Sequence, residues 1–162
     1  MNGTINNTNV EYSAIEITSG ELNLNNVNIS SARHAVRIDG AVIAEVNGGE
    51  YTLIPSNGVT QHAFNISGNA NVTINGGKFV GAADQTYGII NDGTLTINDI
   101  EISADHGVVS NSGTLKINGG KFTQNGNLVQ TSSLIYTTAG TATINGGEFI
   151  FNKEGKLDSG LP

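Results

Sequence analysis

The chain has no cysteine and no tryptophan, and only 13% of its 162 residues are charged. The absence of cysteine excludes disulfide bonds, cysteine-based metal sites and thiol catalysis. Because the formal net charge is −7, electrostatics disfavours nucleic acids and anionic membranes as partners. No apolar run approaches the roughly 20 residues that a membrane-spanning helix requires. We therefore expect neither nucleic-acid binding nor membrane insertion.

Glycine is abundant, with 22 residues, and a short motif recurs along the chain. Its copies are TINNTNV (4–10), ELNLNNVNI (21–29), IAEVNGGEY (43–51), NVTINGGKF (71–79), TLTINDIEI (94–102), TLKINGGKF (114–122) and TATINGGEF (141–149). The copies lie about 23 residues apart, which is typical of one coil of a solenoid and too short for helical-hairpin repeats. The pattern predicts about seven coils over residues 1–150, followed by a polar cap or linker over 151–162.

Apolar and polar residues alternate within each copy, which is the period of a β-strand. Aligning the copies predicts one inward column that consists of Ile5, Leu24, Val46, Ile74, Ile97, Ile117 and Ile144. Further along each copy, Gly77 is followed two residues later by Phe79, whereas Ile100 is followed by Ile102. A small residue paired with a large one, and a medium with a medium, indicates a core of constant volume.

An asparagine follows this inward column in every copy and is predicted to mark a bend, since asparagine tolerates the left-handed backbone conformation. Stacked asparagines can also hydrogen-bond to one another along the solenoid axis. We predict a structural asparagine ladder that consists of Asn25, Asn47, Asn75, Asn98, Asn118 and Asn145.

A second outward column alternates in charge from coil to coil. Its members are Glu50, Lys78, Glu101, Lys121 and Glu148. Opposite charges on neighbouring strands attract weakly, whereas a slip of one coil would align like charges. The column is predicted to fix the register of the coils.

A third strand precedes each copy. It is found in SAIEI (13–17), HAVRI (34–38), HAFNI (62–66), YGIIN (87–91), HGVVS (106–110) and LIYTT (134–138). Variation in coil length falls before this strand, in the segments 53–61, 80–86 and 123–133, as a repeat architecture permits at one corner.

Three strands per coil, an asparagine bend and one variable corner resemble the right-handed parallel β-helix of the pectate-lyase-like superfamily. The string G-T-L-x-I-N-G-G-x-F is similar to repeats of bacterial cell-surface proteins with adhesin-like or carbohydrate-binding roles. The resemblance implies an all-β, single-stranded right-handed parallel β-helix with three short strands per coil. It also implies an extracellular location on a bacterial surface, as a module of a longer exported chain.

In that superfamily the catalytic groove runs along the outer face of the third strand. Here the outward residues are predicted to be Glu16, Arg37, Asn65, Ile90, Val109 and Thr137. Hydrolysis of a polysaccharide requires two carboxylates about 5–10 Å apart, and lyases of this fold typically use a calcium held by carboxylates with a base. The column offers one carboxylate and one base that would pair with each other, so we predict that the chain is not an enzyme.

Two groups of residues have side chains that can ligate a metal ion. The first is a column that we predict to contain His34, His62, Tyr87 and His106. Within it, His62 and His106 would be about 9–10 Å apart, which is too far for one ion. The second is the acidic group Asp92, Asp99, Glu101 and Asp105, whose oxygens suit calcium but which is predicted to spread over different corners. We predict no metal site and no cofactor.

The leading functional hypothesis is a surface-exposed module that binds a glycan or another host-surface ligand. The candidate ligand-binding residues are Arg37, Asn65, Gln61, Gln85 and Asn125. Tyr87 and Phe151 are the aromatic residues predicted to be exposed for stacking against sugars.

The alternative is a structural spacer without a ligand, and strand edges at both ends predict a tendency to associate end to end. A minor alternative is ice binding by outward Thr94, Thr96, Thr141 and Thr143, an array that is interrupted by Asn23, Glu45 and Lys116.

Overall fold

The computed structural model describes residues 3–56, 59–81, 86–105, 107–125 and 133–152. Within these ranges the protein is all-β, and its strands stack in parallel to form a β-solenoid of about six turns. The strands are β1 (Thr4–Asn7), β2 (Ile15–Asn25), β3 (Asn28–Ser31), β4 (Val36–Leu53), β5 (Gln61–Ile66), β6 (Asn71–Val80), β7 (Thr86–Asn91), β8 (Thr94–Ile97), β9 (Glu101–Ala104), β10 (Gly107–Asn111), β11 (Thr114–Ile117), β12 (Lys121–Gln124), β13 (Ile135–Thr137), β14 (Thr141–Ile144) and β15 (Glu148–Phe151).

Each coil contributes one segment to each of three stacks of strands, which we name faces A, B and C in chain order. Face A consists of residues 15–17, 36–38 and 61–66 with β7, β10 and β13. Face B consists of residues 19–25, 41–47 and 71–74 with β8, β11 and β14. Face C consists of β1, β3, residues 50–53 and 78–80, β9, β12 and β15.

The first copy of the motif does not stack as the sequence alignment predicts. Ile5 was expected above Leu24, but β1 pairs with β3 in a register that places Ile5 opposite Ile29 on face C. The strand β1 therefore ends an incomplete coil, and seven copies of the motif correspond to about six turns.

The apolar columns otherwise form the core. On face B, Val46, Ile74 and Ile97 are completely buried, whereas Ile144 at the C-terminal end of the stack is 51% exposed.

On face C the predicted volume compensation is confirmed at Gly120, since a Cβ there would lie 3.2 Å from the ring of Phe122. The same Cβ would lie 2.7 Å from the carbonyl oxygen of Ile100, and the φ angle of Gly120 is +112°. Glycine is thus required at this position both by the ring and by the backbone.

The predicted asparagine ladder is confirmed along its whole length. In each step the Nδ2 of one asparagine donates to the Oδ1 of the asparagine one coil earlier, at distances of 2.7–3.0 Å: Asn47 to Asn25, Asn75 to Asn47, Asn98 to Asn75, Asn118 to Asn98 and Asn145 to Asn118. The left-handed conformation expected of these residues is not found. Among the described non-glycine residues Asn26 alone has a positive φ, of 52°, so the ladder depends on side-chain hydrogen bonding and not on unusual backbone.

The alternating charges face one another across neighbouring coils, as predicted. Lys78 Nζ lies 3.5 Å from Glu101, and Lys121 Nζ lies 3.6 Å from Glu148. About half of each side chain is exposed, so each pair contributes about 0–1 kcal/mol to stability. The column therefore adds little to the stability of the fold. Its main effect is to disfavour a slip of one coil, which would align like charges.

A second, buried asparagine pair on face A was not predicted. Asn91 Nδ2 donates to Asn111 Oδ1 at 2.7 Å and to the carbonyl oxygen of Thr114 at 3.1 Å. Asn111 Nδ2 donates in turn to the carbonyl oxygens of Gly113 and Thr141. Because these carbonyls lie around the bend into face B, the pair joins two faces of neighbouring coils from inside the solenoid.

We expect Asn98→Ala to lower the free energy of unfolding by about 1–3 kcal/mol, because it removes two hydrogen bonds worth about 0.5–1.5 kcal/mol each. Asn71→Ala is the matched control, since Asn71 is an exposed residue of face B outside the ladder. Denaturation in urea measures both variants. Equal stability of the two would contradict a contribution of the ladder to the fold.

Candidate functional site

The outward side chains of face A form a straight line across the coils, which we name the axial row. The row consists of Glu16, Arg37, Asn65, Ile90, Ser110 and Tyr136. Neighbouring members lie on hydrogen-bonded strands about 4.8 Å apart, so the row extends about 24 Å parallel to the solenoid axis. It is an elongated line of outward side chains on the third-strand face.

Two members of this row differ from the sequence prediction. Val109 was expected to point outward, but it pairs with Ile89 and is 1% exposed, and Ser110 takes the outward position. Thr137 pairs with Asn111, whose side chain is buried, so Tyr136, the partner of Ser110, lies in the outward row instead. The prediction was wrong by one residue in these two coils, and a shift of one residue exchanges the two sides of a strand.

Charges concentrate at the N-terminal end of the axial row. Arg37 lies 3.4 Å from Glu16, which confirms the predicted ion pair, and also 3.4 Å from Asp39. Asp39 belongs to a second outward line beside the first, which we name the bend row: Thr18, Asp39, Ser67, Asp92, Ser112 and Thr138. Within it Ser67 donates to Asp39 at 2.9 Å, and Ser112 donates to Asp92. These carboxylates are therefore held in place by neighbouring coils.

Three polar side chains of the axial row have no hydrogen-bond partner in the described part of the protein. Asn65, Ser110 and Tyr136 make no side-chain hydrogen bond to any described residue. The Tyr136 side chain is exposed, at 51% of its surface. An unused amide, a hydroxyl and an aromatic ring are thus aligned on one surface.

Exposed aromatic rings lie at both ends of face A. Tyr12, in the segment that leads into face A of the first coil, is 64% exposed, and Tyr136 lies in the last coil. Neither was predicted to be exposed. Tyr87, which was, packs against His62 with ring centroids 5.8 Å apart, whereas Phe151 is exposed as predicted but belongs to face C.

Two of the other candidate ligand-binding residues hold the corners of the solenoid together. Gln61 is 1% exposed, and its Nε2 donates to the carbonyl oxygens of Ala32 and Ile54. Asn125 donates to Ser103 and accepts from Asn152 at the end of face C. The structure thus brings Arg37 and Asn65 together on face A and does not bring Gln61 or Asn125 to them. Gln85 lies outside the described residues.

No protein-family model, curated protein or solved structure matches this chain. Face A has to be understood from its own geometry and chemistry. In the described ranges no helix is long and apolar enough to cross a membrane.

The predicted stacking of histidines is confirmed for the first two. The rings of His34 and His62 lie 4.9 Å apart and are parallel within 4°, and both residues are buried. Parallel stacked rings direct their nitrogens side by side, which is not the convergent arrangement that a metal ion requires.

The residue opposite Tyr87 in the next coil is Gly107, not His106 as predicted, and a Cβ on Gly107 would lie 3.0 Å from the Tyr87 ring. His106 itself lies outside the described residues.

The acidic residues considered for calcium do not converge. Asp92 lies in the bend row, Asp99 lies between faces B and C, and Glu101 pairs with Lys78 on face C. Across the described part of the chain, no three histidine, aspartate or glutamate side chains are grouped so that they could hold a metal ion.

The outward side of face B carries threonines in two neighbouring columns. They are Thr73, Thr94, Thr96, Thr114, Thr141 and Thr143. Lys116 lies between Thr96 and Thr143, and Asn23 and Glu45 continue that column toward the N-terminus. Since these charged and amide side chains interrupt the array, face B lacks the regularity that the ice-binding alternative needs.

The stacked histidines predict a loss of stability in acid. Burial, with His62 and two arginines nearby, lowers the pKa of His34 from 6.5 to about 4, and burial lowers the pKa of His62 to about 4 as well. Between pH 6.5 and about 4 the unfolded chain therefore binds protons that the folded chain does not, and stability falls as the pH falls through this window.

We expect His62→Phe, which keeps a flat ring against His34, to lose less stability than the original chain between pH 7 and pH 4.5. Guanidinium denaturation at several pH values measures the difference, and the carboxylates common to both proteins cancel in the comparison. An identical pH dependence in the two proteins would show that the His62 pKa is not lowered by folding.

Proposed function

We propose that this chain is a non-catalytic binding module that recognises a glycan through face A, as part of a bacterial cell-surface protein with an adhesin-like role. The observation that carries this proposal is the axial row, in which Arg37, the Asn65 amide, which bonds to no described residue, and the exposed Tyr136 ring lie in one line. Linear glycans present repeated hydroxyls and an apolar ring face. The row offers partners of both kinds over a length of several coils.

The shape of face A supports a polymer as ligand more than a small molecule. Small-molecule sites are usually concave and enclose most of the ligand. The axial row instead follows the outside of a stack of parallel strands along the solenoid axis. Affinity would then arise from several weak contacts in adjacent coils.

The same residues support a non-catalytic role. A glycosidase needs one carboxylic acid that donates a proton and a second carboxylate that acts as base or nucleophile. Both carboxylates at the charged end of face A, Glu16 and Asp39, contact the same guanidinium, so each is engaged in an ion pair with Arg37.

The proposal is tested by a glycan array and by pull-down on insoluble polysaccharides, with and without calcium. We expect saturable binding that Arg37→Ala and Asn65→Ala each weaken at least about tenfold, or ~1.4 kcal/mol. Lys78→Ala is the matched control, since Lys78 is an exposed cation of face C. Far-UV circular dichroism and thermal unfolding show that each variant remains folded.

Absence of binding to every glycan would contradict the proposal, as would equal binding by the Arg37 and Lys78 variants. The first result would favour the second candidate function, a stiff spacer in a longer surface protein. The observation that supports a spacer is the asparagine ladder, which joins six successive coils without interruption.

A further inference from the structure

We infer that the glycan is uncharged and lies parallel to the solenoid axis, with the Tyr136 ring at one end of its binding surface. This inference rests on the function proposed above and adds the class of ligand and its direction. Two observations carry it: the balance of charge on face A, and the order of side chains along the axial row.

The charge of face A is unfavourable for an anionic polymer. In the described residues the axial and bend rows contain three carboxylates, Glu16, Asp39 and Asp92, and one cation, Arg37. Arg37 is engaged by two of these carboxylates, each at 3.4 Å, so its charge is already matched by the protein. A uronate or a sulfated sugar placed on the rows would meet uncompensated negative charge, which the net charge of −7 reinforces.

The order of side chains sets the direction of the ligand. Equivalent positions repeat along the axis at every coil, whereas along a single strand the outward surface soon reaches a bend. Toward the C-terminal end the row changes from charged to apolar and aromatic, through Ile90 to Tyr136. Such a ring packs on the C–H face of a sugar through its apolar surface while its hydroxyl remains free to hydrogen-bond. A chain that contacts both Asn65 and Tyr136 has to span three steps, about 14 Å.

The charge inference is tested with two matched pairs of polymers, hydroxyethyl cellulose against carboxymethyl cellulose and dextran against carboxymethyl dextran. In affinity electrophoresis we expect the neutral member of at least one pair to bind about tenfold or more tightly than its carboxylated partner at low salt. Asp92→Asn should narrow this difference, because it keeps the oxygen that accepts from Ser112 and removes the charge. Glu148→Gln, on face C, is the charge-matched control and should leave the difference unchanged.

The direction is tested with cello- and isomalto-oligosaccharides of two to six units, measured by titration calorimetry. We expect Tyr136→Ala to weaken the longest oligosaccharides severalfold and the disaccharides little, and Tyr136→Phe to retain most of the affinity for both.

The outcomes separate the two proposals. Equal or tighter binding of the carboxylated polymers, or an effect of Tyr136→Ala that is independent of length, would overturn this inference and leave the binding function intact. Binding of none of these polymers, together with a negative glycan array, would overturn both.

Discussion

The structure depends on one constraint, the parallel backbone hydrogen bonding between successive coils. It places each strand about 4.8 Å from its equivalent in the next coil, so most residues lie against the residue at the same position of the repeat. Each side chain therefore has to pack against the equivalent side chain of the next coil. Apolar side chains stack on apolar ones to form the core, asparagines stack because each can donate to and accept from its neighbour, and charges have to alternate in sign.

This constraint explains why so much of the fold can be predicted from the sequence. A column in which equivalent side chains stack on one another appears in the sequence as a residue type that recurs once per coil. The asparagine ladder, the alternating Glu and Lys residues and the paired sizes of Gly120 and Phe122 were all recognisable in this way. Faces B and C have strands of nearly constant composition, and there the aligned copies of the motif gave the observed register except in the incomplete first coil.

Face A was harder to predict because its strands follow loops of variable length and share little sequence. Aligning them on His106 and Tyr87 displaced the last two coils by one residue, although Gly107 is the true partner of Tyr87. A better signal was present at the other end of the strand, where Asn91 and Asn111 both precede a bend. They form a buried hydrogen-bonded pair, and aligning on them would have placed Ser110 outward. The last coil has Thr137 at the position of these asparagines, so this alignment does not extend to Tyr136. Which residues of the face A strands point inward is decided by their burial in the tertiary structure, and the sequence does not show that burial.

The same constraint limits what the surface of this protein can recognise. The backbone spacing that aligns the core also aligns outward side chains in rows, so a ligand has to meet chemically related positions at regular intervals along one axis. On face C the outward charges pair with one another across neighbouring coils. On face B a lysine interrupts the threonine columns. Face A departs from repetition: its row changes from Glu16 and Arg37 through Asn65 to Tyr136. A row that changes along its length does not follow from the repeat, and an extended ligand with distinct contacts gives that variation a use.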